Sequence, residues 1–180
     1  MSDPEFILLG DAVWLDFVNT AGGRDSTPVD RLPDSAAYHR WAKAEKLTSD
    51  AGSIPFADAL ELRSRLADLA RALAAGRQAP ASAIERVNSI LARTEGHFQL
   101  TRTRGRWYAR FTPSAPPSAS SAIARSVVAT LTHPSRRVRQ CSAPACSLFF
   151  TEDPPEQIRN WCSMEYCGER NRTERRRSLR

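Results

Sequence analysis

The most constraining feature of this sequence is a set of four cysteines, the only ones in its 180 residues. They are Cys141, Cys146, Cys162 and Cys167, arranged C-x4-C-x15-C-x4-C. A structural zinc site takes four soft ligands in a tetrahedron, and two close pairs separated by a loop supply them without a large core. The spacing therefore predicts one structural Zn²⁺ ion, with all four thiolates as ligands and no position left open for water.

Two other states of these cysteines stay open at this point. Two disulfides would use the same four residues, but nothing at the N-terminus resembles a signal peptide, and reducing compartments keep such pairs as thiols. Four inert buried thiols are also possible, although random placement would rarely give two equal spacings in so short a stretch. The pattern favours zinc over both, and with it a cytoplasmic protein.

Charge is concentrated at the C-terminus. The chain has 26 Lys and Arg against 20 Asp and Glu, with a sequence pI near 9.7, and only two of the basic residues are lysines. Six arginines follow the last cysteine, and on a helix they would spread too widely to leave an apolar face. Such a helix should meet solvent or an anion, and the phosphate backbone of duplex DNA is the partner that we expect. The predicted nucleic-acid contacts are Arg170, Arg172, Arg175, Arg176 and Arg177. A solvated basic tail is the alternative.

Helical periodicity dominates the first 135 residues. Apolar residues at i, i+3 and i+4 spacing predict helices over residues 11–20, 35–47, 56–75, 80–94 and 120–131. Residues 5–10 form a short apolar run, predicted as a strand or an extended segment. Two alternating segments, residues 97–103 and 106–112, are joined at Arg104-Gly105 and predict a β-hairpin.

The break at His133-Pro134-Ser135 predicts a domain boundary. The expected fold class is mainly α with a β-hairpin (α+β). It combines a helical domain over residues 1–135 with a small treble-clef-like four-cysteine zinc finger over residues 136–180. In the finger, Phe149, Phe150 and Trp161 are expected to wrap the metal site, because so small a module rarely folds on apolar burial alone.

The cysteine region also resembles a known family. The run from Arg137 through Cys146-Ser-Leu-Phe-Phe and the run Arg159-Asn-Trp-Cys-Ser-Met-Glu-Tyr-Cys-Gly-Glu-Arg170 are similar to the CGNR zinc finger of bacterial proteins. Those proteins are regarded as stress-induced transcription regulators, so the resemblance implies metal binding, DNA binding and a role in regulation. One difference is that Glu169 stands where that family has asparagine.

A second resemblance lies near the N-terminus. The run Trp14-Leu-Asp-Phe-Val-Asn-Thr20 resembles the opening of the ABATE domain, which accompanies CGNR fingers. The resemblance implies that Asp16, Asn19 and Thr20 line a ligand site. The helical pattern alone favours a different interpretation, in which these three residues form the solvated face of an amphipathic helix.

The leading hypothesis is a DNA-binding regulator whose helical domain senses a small-molecule effector or mediates assembly, with a homodimer expected on affinity grounds. The rival is an adaptor whose finger binds protein or RNA and whose helical domain binds a ligand or is enzymatic. Catalysis is not expected, since His39, His97 and His133 are scattered and lack a nucleophile or a phosphate-binding loop. No apolar run is long enough to span a membrane.

Overall fold

The computed structural model describes residues 5–25, 29–47, 54–153 and 159–178, with side chains as far as Thr173 in the last helix. Within these ranges the helices are α1 Val13–Asn19, α2 Ser35–Ala44, α3 Phe56–Ala74, α4 Ala81–Leu91, α5 Ala119–Leu131 and α6 Glu169–Ser178. The strands are β1 Gly96–Thr103, β2 Arg106–Pro113, β3 Arg137–Gln140 and β4 Phe149–Glu152. A π-helical turn, Met164–Gly168, leads into α6. The mixed α+β class is confirmed.

The long helix α3 lies at the centre of the helical part. It contacts α1, α4 and β3, and α1 also packs against α5. Leu62, Leu66 and Leu69 are fully buried on one face of α3, at the i, i+4 and i+7 spacing that the sequence shows. Trp14 and Trp41 from α1 and α2 join the same core. None of the helices in the described ranges is both long and apolar enough to cross a membrane.

The predicted helix boundaries agree with the structure in part: α2 ends at Ala44 and α4 at Leu91, each three residues before the predicted end. Asp34 caps α2, since its carboxylate accepts a hydrogen bond of 2.7 Å from the Ala37 amide. The helix predicted from Asp11 starts later, and Asp11 does not cap it. Asp11 has a positive φ of 56°, the helix begins two residues later, and the Asp11 carboxylate pairs with Arg159 instead.

Strands β1 and β2 form the predicted hairpin. They are antiparallel, with Gly96 opposite Pro113 and Thr103 opposite Arg106. The turn residues Arg104 and Gly105 both have positive φ, 49° and 80°. Two-residue hairpin turns need this left-handed conformation, which is why a glycine at the second position is informative in the sequence.

The finger segment and the helical segment share their hydrophobic cores. Val138 and Phe149, on β3 and β4, belong to the same cluster as the buried residues of α1 and α3. In the opposite direction, Ile7 from the extended N-terminal run is buried among the four cysteines. Apolar contacts therefore cross the predicted boundary in both directions, and the division at residue 135 stays a prediction from sequence.

The two phenylalanines of β4 point to different cores. Phe150 lies with the cysteines, as predicted, and Trp161 packs against the same cluster. Phe149 faces the helical core instead, so its predicted place around the metal site is wrong. Side chains alternate across a strand, and β4 is covered on both faces, so neighbouring residues must enter different cores.

Phe149→Ala should therefore destabilise the helical part, although the residue lies in the finger segment. We expect a loss of about 3–5 kcal/mol in the free energy of unfolding, as for other buried phenylalanines. Phe98→Ala makes the same chemical change at an exposed site of β1, where only an edge-to-face contact with Phe111 is lost, and should cost no more than about 1.5 kcal/mol. Urea unfolding of the zinc-loaded protein measures both, and equal losses would contradict the shared core.

Candidate metal centre

The four cysteine sulfurs converge at one point. All four Sγ atoms lie within 4.8 Å of one another, with 3.8 Å between Cys146 and Cys162 and 3.5 Å between Cys162 and Cys167. A tetrahedral zinc site with Zn–S bonds of about 2.3 Å has S···S edges of about 3.8 Å. The four thiols are free, and the sulfur pairs are too far apart for the bond of about 2.05 Å in a disulfide. The cysteines are thus positioned to bind one metal ion, and the donor set fits Zn²⁺.

Backbone hydrogen bonds hold the ligands in place. The Cys141 amide donates to the carbonyl of Leu148 at 2.9 Å, where β3 and β4 diverge, and the Cys146 amide closes a turn on Ala143 at 2.9 Å. The amide of Cys162 donates to the Cys141 sulfur at 3.4 Å, which favours the thiolate there. Cys167 lies in the π-helical turn before α6, so the last ligand and the basic helix are joined rigidly.

Without a metal ion, the four thiols differ widely in pKa. The Cys141 pKa falls to about 2, because the Cys146 and Cys162 thiols donate hydrogen bonds to its sulfur. The same contacts raise the pKa of Cys146 to about 12 and raise that of Cys162 as well, while burial raises the Cys167 pKa. Without a cation, only one sulfur is favoured as a thiolate. A bound Zn²⁺ would displace the other protons, so metal binding should release them to solvent.

Arg159 ties the N-terminal run to the loop between the two cysteine pairs. Its guanidinium donates to the carbonyls of Trp161, at 2.9 Å, and Cys162, and it pairs with the Asp11 carboxylate. It also lies 4.4 Å from the centroid of the Phe150 ring. A four-thiolate zinc site carries a formal charge of −2, and this arginine places positive charge beside it.

Asn19 connects α1 to the finger directly. Its side-chain amide donates to the Phe149 carbonyl at 2.8 Å and accepts from the Phe149 amide at 2.9 Å. The side chain thus satisfies both polar groups of a buried strand residue, as a neighbouring strand would. This role of Asn19 could not be predicted from the sequence, because no local pattern shows which strand will lie beside α1.

Asp16 and Thr20 are also buried, so the predicted solvated face of α1 is wrong. Asp16 accepts a hydrogen bond of 2.8 Å from the Gly10 amide, and the Gly10 carbonyl accepts one of 2.9 Å from Thr151 of β4. The Thr20 hydroxyl accepts a hydrogen bond of 3.0 Å from Arg63. The reason is tertiary: α1 is enclosed by α3, α5 and β4. These residues hold the fold together, and ligand binding by Asp16, Asn19 and Thr20 stays a prediction.

The predicted nucleic-acid contacts fall into three groups. Arg170 is half-buried and donates to the Arg24 carbonyl, so part of its guanidinium is used inside the protein. Arg172 is exposed and pairs with Glu169 at 3.2 Å. The side chains of Arg175, Arg176 and Arg177 lie outside the described part of the chain. DNA contact by these five residues stays a prediction.

Asp16 should make the stability of the protein depend on pH. Burial raises its pKa from 3.8 to about 7, with a further contribution from the nearby Glu45 carboxylate. Between about pH 4 and pH 7 the folded state therefore holds a proton that the unfolded state has lost. The free energy of unfolding should fall as pH rises through this window, by up to about 1.4 kcal/mol per pH unit.

The Asp16→Asn variant tests this assignment. The side-chain oxygen of the new asparagine can still accept a hydrogen bond from the Gly10 amide, but the side chain carries no charge at any pH. Thermal or urea unfolding across pH 4–8 should show a smaller fall in stability for the variant than for the wild type. Because the cysteines are common to both proteins, their titration cancels in the difference. Parallel curves would contradict the raised pKa.

Asn19→Asp should loosen the attachment of the finger. The new carboxylate can still accept the hydrogen bond from the Phe149 amide, but it has no hydrogen to donate to the Phe149 carbonyl. Asn19 is only 1% exposed, so the charge would be buried. We expect a loss of about 3 kcal/mol in the free energy of unfolding at pH 7. Asn88→Asp, the same change at an exposed position of α4, should cost about 0.5 kcal/mol at most.

Comparison with known proteins agrees with this architecture. A search of curated proteins found no match. The family model described as CGNR zinc finger matches residues 137–180, which include all four cysteines. The ABATE model, described as "Putative stress-induced transcription regulator", matches residues 11–134, more than half of the chain. The chain therefore belongs to the ABATE family and carries a C-terminal CGNR zinc finger.

Proposed function

We propose that this regulator binds duplex DNA through the basic helix α6, which the metal centre holds at a fixed position on the body. The observation that carries the proposal is the junction of Cys167 and α6. The helix starts two residues after this ligand, and the Asn171 side chain donates to the Cys167 carbonyl at 2.9 Å. Metal binding should therefore fix the direction of the helix.

Helical spacing assigns the arginine positions of α6 to two sides of the helix. Arg170 faces the body, where it meets the Arg24 carbonyl. At 100° per residue, positions 172, 175 and 176 fall within about 100° of one another on the opposite side. We propose that this outward side carries the phosphate contacts, and that Arg170 positions the helix. A row of arginines supplies affinity for any duplex, while sequence preference needs further contacts to base edges.

The helical segment completes the proposal as the regulatory part, without an enzymatic role. Asn19 of α1 and Gly10 in the run before it make direct hydrogen bonds to β4, so a change at α1 would reach the finger through these contacts. A small-molecule effector or a second copy of the chain would act by strengthening or weakening these contacts.

Loss of one ligand should remove both metal and DNA binding. The Cys162→Ser variant, purified under reducing conditions, is expected to retain little zinc by elemental analysis and to lose retention on duplex DNA. Tight duplex binding by metal-free protein would contradict the proposal. Stronger binding of the zinc-loaded wild type to RNA or to a protein partner would favour the adaptor function.

The outward arginines can be tested with a matched charge control. The triple alanine variant at Arg172, Arg175 and Arg176 should keep zinc but bind duplex DNA more weakly. The slope of log K against log salt should fall in magnitude by about 3, close to one for each phosphate contact. The control removes the same charge at the exposed residues Arg71, Arg77 and Arg93, and its slope should match the wild type. An equal fall in slope for the two variants would contradict the proposal, because it would show that any loss of three positive charges has the same effect.

A further inference from the structure

The β1–β2 hairpin exposes a large apolar face that the proposed function does not use. The register places Phe98 opposite Phe111 and Arg102 opposite Trp107, and alternate residues share a face, so Phe98, Leu100 and Trp107 lie on the same side. Their side chains are 76%, 71% and 66% exposed. Exposed apolar residues are ordinary one at a time, but a contiguous patch of this kind marks a binding surface.

The hairpin is also uniformly basic. Residues 96–113 contain four arginines and one histidine and no acidic residue. The arginines are Arg102, Arg104, Arg106 and Arg110, on both strands and in the turn. Two copies of this hairpin would bring like charges together, which opposes self-association through this face. Charge complementarity therefore points to an anionic partner.

The aromatic rings narrow the choice of anion. Arg102 lies over the Trp107 ring at 5.7 Å from its centroid, and Phe98 meets Phe111 edge to face at 5.6 Å. Exposed rings interleaved with arginines match the way proteins bind single-stranded nucleic acid, where bases stack on the rings and arginines hold the phosphates. In a duplex the faces of the bases are hidden within the stack, so duplex DNA would leave these rings unused.

We propose that the β1–β2 hairpin binds unpaired nucleic-acid strands, with bases stacked on Phe98 and Trp107. The phosphates would be held by Arg102, which lies on the same face, and by Arg104 in the turn. This surface belongs to the ABATE segment and is separate from the metal centre and α6. The protein would then have two nucleic-acid contacts, one for duplex and one for unpaired strand.

Trp107 provides a direct probe. Of the four tryptophans, Trp14 and Trp41 are fully buried and Trp161 is half-buried beside the cysteines, whereas Trp107 is exposed. The part of the quenching that comes from Trp107 is the part that is lost when this residue is replaced. We would titrate the zinc-loaded full chain with oligothymidylate longer than the roughly 4–16 nucleotides that one binding module covers. The wild type should show saturable quenching, and Trp107→Phe should keep affinity, measured with labelled strand, while losing most of the quenching.

Leucine substitution separates stacking from general apolar contact. The double variant Phe98→Leu, Trp107→Leu keeps an apolar face but removes both rings, and we expect at least about tenfold weaker binding of the oligonucleotide. Arg102→Ala with Arg104→Ala should weaken binding and lower its salt dependence. The matched control, Arg77→Ala with Arg93→Ala, should bind as the wild type does.

Several results would overturn the proposal. Unchanged oligonucleotide binding by the double leucine variant would exclude stacking. If the wild type binds a duplex of the same length as tightly as the single strand, and the hairpin variants lose both affinities, the hairpin would be assigned to duplex DNA. If the protein does not bind the oligonucleotide, two other results would assign the hairpin to another partner. Binding to anionic vesicles that survives the leucine changes would assign it to a membrane surface, and self-association that survives them would assign it to a second copy of the chain. The triple alanine variant of α6 should retain the quenching of Trp107 by the oligonucleotide. A failure of the DNA-binding proposal for α6 can therefore be distinguished from a failure of the hairpin proposal.

Discussion

The convergence of four sulfurs is the constraint on which the C-terminal third of this protein depends. The segment around them is short, and its apolar residues form only a small cluster of their own, with Leu148 and Phe150 at the centre. A cluster of this size contributes little free energy of folding, so we expect binding of one divalent cation by the four sulfurs to supply much of the stability of the segment. Cys167 lies two residues before α6, so an ion held by this ligand would also fix the orientation of the helix.

The finger is not an independent appendage in this structure. It is held to the N-terminal segment by Ile7 among the cysteines, by the amide of Asn19 on β4 and by the Gly10 carbonyl on Thr151. Gly10 has no room for a side chain, because a Cβ there would lie 2.7 Å from that of Leu15. Each of these contacts is made by a side chain or backbone group of α1 or of the run before it. They would therefore give the N-terminal segment a physical means to influence the DNA binding that we propose for the finger.

Local sequence patterns predicted most of the elements, because each rests on interactions within a few residues. The α3 leucines repeat at helical spacing, Asp34 caps its own helix, and Arg104-Gly105 permits the left-handed turn. The metal ligands were predictable for a similar reason, since cysteine is rare and its spacing is a direct statement about ligand geometry. The environment of α1 was not predictable, because an amphipathic pattern shows which residues are polar but not whether a second layer covers them.

By itself, the sequence determined the helices, the hairpin, the four ligands and the basic character of the last helix, since these depend on residue type and short-range spacing. Only the tertiary structure decided that Asp16, Asn19 and Thr20 are buried and that Phe149 enters the helical core. It also decided that Arg170 faces Arg24 while the aromatic face of the hairpin is exposed. Each of these depends on which distant element lies beside the residue. Packing between segments far apart in the chain settles that, and no local pattern encodes it.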